Sequence, residues 1–278
     1  MFCDLHTHSF FSDGTCTPEE IVDGAIEAGL SAVALTDHNT VDGLRDFIAA
    51  ARGKDIEIVP GAEFSVDYQG TELHILGLFI PPEAFGRVSE RMESVNRRKE
   101  ASNIALIDSL NRAGYCLDYE EIKGLTPNGK VNRAHIATAM VKKGYIGSVK
   151  EGFDTLLSKS AGHYQEPARL TAAEIIAFIK SIGAVPVLAH PFLNLSEQAL
   201  VEFLSTAKGL CGIECYYATY DGETTKKSLR IAEQFNLICS GGSDFHGTTK
   251  PDIGLGIGKG TLRVPYACYL ALRERAKI

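Results

Sequence analysis

The feature that most constrains this chain is the return of histidine, with a carboxylate nearby, directly after short apolar runs. His6-Thr7-His8 follows Phe2–Leu5, Asp37-His38 follows Ser31–Thr36, and His190 follows Val187-Leu188-Ala189. Asp244-Phe245-His246 follows a run that ends near Ser240. Glu63 comes just after Glu57–Pro60, Asp13 lies in the loop behind His8, and His74 falls within or at the start of Leu73–Phe79. In extended backbone, residues two apart leave the same side, so both imidazoles of His-x-His can reach one cation, and Asp-x-His offers a carboxylate and an imidazole in the same way. If the strands form a parallel barrel, their carboxyl ends gather on one face and ligands distant in sequence meet. Alone, His74 reads as packed or hydrogen-bonded, and Glu63 or Asp13 as a solvated carboxylate or a cap. The set as a whole reads as a metal centre. Imidazole with carboxylate suits manganese, iron or zinc rather than calcium or magnesium alone. Asp and Glu can also bridge two ions, as in two-metal phosphoryl chemistry.

The apolar runs alternate with amphipathic helical patterns, which predicts an α/β architecture. The expected strands are Phe2–Leu5, Ser31–Thr36, Glu57–Pro60, Leu73–Phe79, Ala184–Ala189, Gly212–Tyr217 and Leu237–Ser240. Thr17-Pro18-Glu19-Glu20 and Thr171-Ala172-Ala173-Glu174 read as capping boxes, with Gly29 and Gly183 as stops. The alternation breaks between Pro81 and about Pro167. There a long helical pattern carries Val88, Met92, Val95, Ile104, Ile107 and Leu110 up to Gly114, and shorter ones follow near Arg133–Lys143 and Val149–Lys159. The chain therefore divides into a barrel, 1–80 and 167–278, and a mainly helical insertion, 81–166.

Composition excludes other classes. The 278 residues are 45% hydrophobic and only 23% charged, which fits a packed core. No apolar run reaches the roughly 18 residues that span a bilayer. The opening MFCDLHTH is unlike a signal peptide, and seven scattered cysteines with no C-x-x-C pair suit a reducing cytoplasm. The net charge of −7 argues against duplex DNA as a partner. Residues 86–165 hold 13 Lys+Arg against 9 Asp+Glu, so an acidic body carries a basic segment. That combination could hold cations and an anionic substrate together, although ordinary surface solubility also explains it.

The motifs D-L-H-T-H-S-x-x-S-D-G at 4–14, T-D-H-N-T at 36–40, P-G-x-E at 60–63, A-H-P at 189–191 and G-S-D-F-H at 242–246 resemble the PHP (polymerase and histidinol phosphatase) family. Length and insertion are similar to its bacterial nucleotide phosphatase branch, the TrpH-like 3′,5′-nucleoside bisphosphate phosphatases. The resemblance implies a distorted, TIM-like (β/α)7 barrel with two or three divalent metals, manganese ahead of zinc or iron. Carried over by position, His6, His8, Glu63 and Asp244 would hold one metal, and Asp13, His38 and His246 a second. Glu63, His74 and His190 would hold a third. The insertion would cover the site, with Arg97, Arg98, Lys99, Arg133 and His135 at the family's phosphate-contacting positions. For Arg97, Arg98 and Lys99 a solvated helix face is the competing reading. Ala101 stands where related sequences often carry another Arg, and Ala161 stands near a family Lys.

The function implied is a cytoplasmic phosphomonoester hydrolase acting on a nucleotide, a nucleoside 3′,5′-bisphosphate or 5′-monophosphate. Water held by the metals would attack phosphorus in line, and the general acid is not assigned. A small phosphorylated substrate, or short single-stranded RNA, is the expected partner. Three alternatives stand beside it: a histidinol-phosphate phosphatase, a 5′-to-3′ exoribonuclease on short RNA, and a metal-binding regulatory module without turnover. Gly254–Gly258 reads as a late turn rather than a phosphate loop. His163 reads as structural or rim, and Tyr216, Tyr217 and Tyr220 as aromatic packing ahead of lining a substrate mouth.

Overall fold

In the computed structural model, which describes residues 1–126 and 129–276, the expected strands fold into a barrel. Its first half runs β1 (Phe2–Asp4), α1 (Pro18–Glu27), β2 (Ala32–Leu35), α2 (Leu44–Ala50), β3 (Glu57–Tyr68) and β4 (Thr71–Leu78). The intervening helices are α3 (Phe85–Arg112), α4 (Tyr119–Gly124), α5 (Arg133–Lys142) and α6 (Val149–Asp154). The second half runs β5 (Leu170–Thr171), α7 (Ala172–Ser181), β6 (Val185–Leu188), α8 (Glu197–Thr206), β7 (Gly212–Tyr217), α9 (Gly222–Gln234), β8 (Ile238–Gly242), β9 (Val264–Pro265) and α10 (Tyr266–Arg273).

Strands β1, β2 and β3 pair in parallel, as do β6, β7 and β8. Strand β4 joins the two sets and is antiparallel to both neighbours. The ring closes where the end of β8 and the chain after it meet the chain beyond β1. Leu5 N donates to Gly241 O at 3.1 Å, Asp244 N to His6 O at 2.9 Å and His8 N to Phe245 O at 2.9 Å. The distortion of the barrel is the β3–β4 hairpin, which runs longer than the sequence suggests. Gln69 (φ 53°) and Gly70 (φ 80°) make its tight turn, the left-handed pair that matches strand twist. The amino half of β4 thereby stands level with the carboxyl half of β3, with His74 opposite Ser65. An antiparallel strand can so deliver a ligand to the face where parallel strands end.

Both capping boxes form: Thr17 with Glu20 starts α1, and Thr171 with Glu174 starts α7. The barrel core packs small residues against larger ones, Ala32, Ala34 and Ala189 with Leu76, Leu78 and Val187, and α10 adds Tyr269 and Leu272. Two compact units result, Met1–Ser89 with Arg169–Ile278, and Glu90–Ala168. The first turn of α3 belongs with the barrel unit, because Arg87 bonds Ser181 and the Arg45 guanidinium lies 5.7 Å from the Phe85 ring centroid.

The second unit has its own core of Leu106, Ile107, Leu110, Ile136 and Met140. Ile104, expected on the apolar stripe, is instead exposed. Asn103 turns inward in its place and donates to Val131 O at 2.8 Å. Helix α6 is shorter than the pattern near Val149–Lys159, because Thr155 leaves helical geometry at φ −122°, ψ −100°. No helix among the described residues is long and apolar enough to cross a membrane.

Candidate metal centre

The extension of β1 places the first two candidate ligands. Thr7 bridges Phe245, so His6 and His8 leave one side of the strand and their Nε2 atoms stand 3.0 Å apart. Gly242 permits the approach of β8 from the other side, since a Cβ there would lie 2.3 Å from His6 Cβ. A bridge between His38 and Glu63 aligns the chain beyond β2 with the middle of β3. His74 enters from β4, and Ala189 N donates to its carbonyl at 3.0 Å, which brings His190 alongside. His190 (φ 26°) and Asp244 (φ 54°) hold left-handed backbone, and Asn39 beside His38 does so too (φ 51°). Strain of this kind in non-glycine residues collects at functional sites.

All nine expected metal residues come together. Ligand atoms of His8, Asp13, His38 and His246 lie within 4.8 Å of one another, as do those of His6, Glu63 and His190, of His6, His8 and Asp244, and of His38, Glu63 and His74. The grouping differs in detail from that implied by the resemblance. His8 also joins Asp13, His38 and His246, and His190 meets Glu63 together with His6.

Glu63 is the hub. Its Oε1 is 2.7 Å from His74 Nδ1 and 2.9 Å from His190 Nε2, and its Oε2 is 3.1 Å from His38 Nδ1, 3.2 Å from His8 Nε2 and 3.3 Å from His6 Nε2. Despite these short separations, Glu63 Oε2, His38 Nδ1 and Asp13 Oδ1 are buried without a directed hydrogen bond. Buried polar atoms left unpaired cost about 1–3 kcal/mol each. Donor atoms bound about 2.1 Å from a common ion lie roughly 3.0–3.4 Å apart. The orphaned atoms and their spacings therefore fit divalent cations, and the nitrogen–oxygen donor set, without thiolate, fits the manganese–iron–zinc range.

The electrostatics agree. Burial opposes charge on each imidazole, yet Asp244 and Glu63 outweigh it at His8 and lift the pKa to about 9. Glu63 and Glu72 do the same at His74, to about 10. At His38 burial wins, with His8 and His74 adding repulsion, and the pKa falls to about 3. Burial would raise Asp13, Glu63 and Asp244, but the surrounding imidazoles hold Asp13 and Glu63 well below the carboxylate range, and at Asp244 the Lys250 ammonium does so ahead of His246 and His6.

Several supporting residues have roles that the sequence reading did not give them, and Glu214 escaped it altogether. Glu214 is fully buried. Its Oε1 accepts from His6 Nδ1 at 3.0 Å and its Oε2 from the backbone N–H of His190 at 2.7 Å. This pairing assigns the His6 proton to Nδ1 and turns Nε2 toward the centre. Its only signal was a lone acid in the apolar strand Gly212–Tyr217. Tyr217 donates to Asp244 Oδ2 at 2.8 Å, so it is more than aromatic packing. Asp37 accepts from Ser9 N, Ser9 Oγ and Ser12 Oγ, which fixes the loop that carries Asp13.

The expected substrate residues lie in the second unit. Arg97 pairs with Glu93 at 3.3 Å, and Arg98 donates to Ser94 O at 3.1 Å. Lys99 shares that stretch of α3. Arg133 lies over the Tyr164 ring at 4.2 Å, and His135 closes the cap of α5 through Nδ1, which accepts from Asn132 N at 3.2 Å. His163 Nδ1 sits 2.9 Å from Ser109 Oγ within the same unit.

The PHP domain model matches residues 4–183. A 5′-3′ exoribonuclease of Haemophilus influenzae is 29% identical over 87% of this chain and 89% of its own length. A 3′,5′-nucleoside bisphosphate phosphatase of Chromobacterium violaceum is 29% identical over 87% of this chain and 86% of its own. Among solved structures, a protein from Bifidobacterium adolescentis assigned as a metal-dependent phosphoesterase superposes with a TM-score of 0.87. It is 26% identical, over 99% of this chain and 96% of the other.

Proposed function

The chain belongs to the PHP domain family and is a metal-dependent phosphoesterase, and from that premise we propose that it hydrolyses a phosphomonoester of a nucleotide, a nucleoside 3′,5′-bisphosphate or 5′-monophosphate. The observation that carries this reading is the convergence of nine imidazole and carboxylate side chains, six of them buried, on one cluster with orphaned donor atoms. We assign the ligands as His6, His8, Asp13, His38, Glu63, His74, His190, Asp244 and His246, holding two or three divalent ions, manganese ahead of zinc or iron. Such ions neutralise phosphoryl charge and lower the pKa of water toward neutrality.

The chain's own contribution is placement. Glu214 sets the His6 tautomer, Tyr217 holds one oxygen of Asp244, and Asp37 fixes the Ser9–Ser12 loop. Arg97, Arg98, Lys99, Arg133 and His135 are proposed substrate contacts, on the family resemblance. A nucleotide substrate is supported by two relatives whose names both specify nucleotide or RNA phosphoesters.

The test is phosphate release by manganese-loaded protein from a nucleoside 3′,5′-bisphosphate, AMP, a 5′-phosphorylated oligoribonucleotide and histidinol phosphate. Release is expected from the nucleotides first. Turnover confined to histidinol phosphate, or shortening of the oligonucleotide alone, overturns the substrate assignment. No release from any of them returns the chain to a non-catalytic metal-binding role.

A further inference from the structure

Lys250 stands six residues beyond Asp244 and donates to its Oδ2 at 2.6 Å, while its side chain keeps 39% exposure. The two oxygens of Asp244 face different ways. Oδ1 is 3.3 Å from His8 Nε2, 3.4 Å from His246 Nδ1 and 3.6 Å from His6 Nε2. Oδ2 accepts instead from the buried hydroxyl of Tyr217 at 2.8 Å. Tyr217 and Lys250 therefore share that oxygen, and Lys250 brings the charge.

An ammonium has three donors. Among the described residues Asp244 is the hydrogen-bond acceptor for this one, which leaves two donors of a part-exposed ammonium for another acceptor. The surroundings are otherwise unfavourable for an anion, because Asp13, Glu63 and Asp244 all lie in the cluster. Among the described residues Lys250 is the one lysine or arginine paired with any of those three carboxylates.

We propose that Lys250 is a substrate-binding residue of this site: its ammonium, tethered to Asp244 Oδ2, takes an oxygen of the substrate's phosphoryl group. The assignment rests on the phosphoesterase reading above. A charge-assisted hydrogen bond from a pre-placed ammonium stabilises the charge that gathers on phosphoryl oxygens during the displacement. Lys250 moves no proton. Water adds to phosphorus, the P–O bond to the leaving group breaks with its electron pair going to the leaving oxygen, and that oxygen ends protonated at the expense of the water. The inorganic phosphate product occupies the same contact until release.

The experiment compares the parent protein with Lys250→Met and Lys250→Arg, each loaded with manganese. The readouts are manganese per chain, KM and kcat for p-nitrophenyl phosphate, and calorimetric affinity for inorganic phosphate. The Met variant is expected to weaken phosphate binding and raise KM by about ten- to a hundred-fold, the range for a hydrogen bond to a charged partner. Its manganese content should stay at the parent level, and the Arg variant should recover most of the loss. Unchanged phosphate affinity in the Met variant overturns the proposal. If manganese content falls in that case, Lys250 only seats Asp244. A parent protein that binds no inorganic phosphate overturns it as well. If the parent binds phosphate more tightly than the Met variant yet hydrolyses nothing, the anion contact stands and the phosphoesterase reading fails instead.

Discussion

The barrel unit and the Glu90–Ala168 unit treat their charged residues in opposite ways. In the barrel, imidazoles and carboxylates are buried and face one another, and some of their atoms have no directed partner at all. In the second unit Arg97 and Arg98 on α3 are exposed and bound within about a turn of their own position, to Glu93 and Ser94. The first arrangement is costly unless something else completes it. The second is self-sufficient and typical of a solvated helix face, where an ion pair is worth about 0–1 kcal/mol. A side chain that leaves buried donors unsatisfied reports a ligand more reliably than one that merely carries charge.

The comparison breaks first if the buried cluster can lose a member without consequence. His8→Ala or Asp244→Ala should cut manganese-dependent turnover by roughly a thousand-fold or more, since each unit of 1.4 kcal/mol in transition-state stabilisation is a factor of ten and ion placement contributes several. Circular dichroism should show an intact fold in both. Parent-like rates in either would remove these residues from the centre.

Metal loading should show next, as stability. Binding to the folded state alone adds about 2.7 kcal/mol at a hundred times Kd. The pH dependence has a definite sign. In the metal-free protein His8 and His74 hold their protons to about 9 and about 10, above the roughly 6.5 of an unfolded histidine. The stability they contribute is complete below about pH 6.5 and is lost as pH rises through about 9 and about 10. Ions displace these protons, so affinity climbs over the same window. The rise in Tm on adding manganese should therefore be larger at pH 8.5 than at pH 6.5. Equal rises at both would mean that the ions bind elsewhere.

Glu214→Gln should give a smaller effect, about ten- to a hundred-fold in manganese affinity or turnover, the usual range for a partner that orients a metal-binding histidine. The amide keeps the shape but cannot accept at both Oε positions, so either His6 Nδ1 or the strained His190 N–H loses its acceptor. Unchanged metal affinity would reduce Glu214 to packing.

The fold and the candidate ligands were legible for one reason. A strand fixes which side a residue leaves, so the spacing of His6-x-His8 and Asp244-x-His246 is enough to announce a shared direction. Glu214 was not legible, because the ladder shifts between Glu214 and Tyr216, and only the fold shows which way the acid points. His74 was ambiguous until the Gln69–Gly70 turn reversed β4 and brought it to the carboxyl end of β3. Lys250 follows a short 3-10 turn at Gly247–Thr249, and nothing in the pattern fixes where a side chain after such a turn will reach. Helical positions suffered the matching problem. Ile104 reads as apolar stripe, yet the hydrogen bond of Asn103 to Val131 rotates the stripe past it.

Arg133 is where the two regions can be compared most finely. Its guanidinium lies 4.2 Å from the Tyr164 ring centroid and 5.3 Å from that of Phe153, and Nη1 reaches Leu157 O at 3.4 Å. Those contacts alone could account for it, at about 1–2 kcal/mol of stability for a partly desolvated cation over aromatic rings. A substrate role adds a second demand, so Arg133→Ala should both lower the unfolding midpoint and raise KM several-fold, with manganese content unchanged. Arg133→Lys should keep the charge, and with it part of the KM, while losing most of the stacking. If KM stays at the parent value while stability falls in both variants, Arg133 is a fastener of its own unit. The basic segment would then be a solvated surface, and the site's anion recognition would rest on the barrel's own residues.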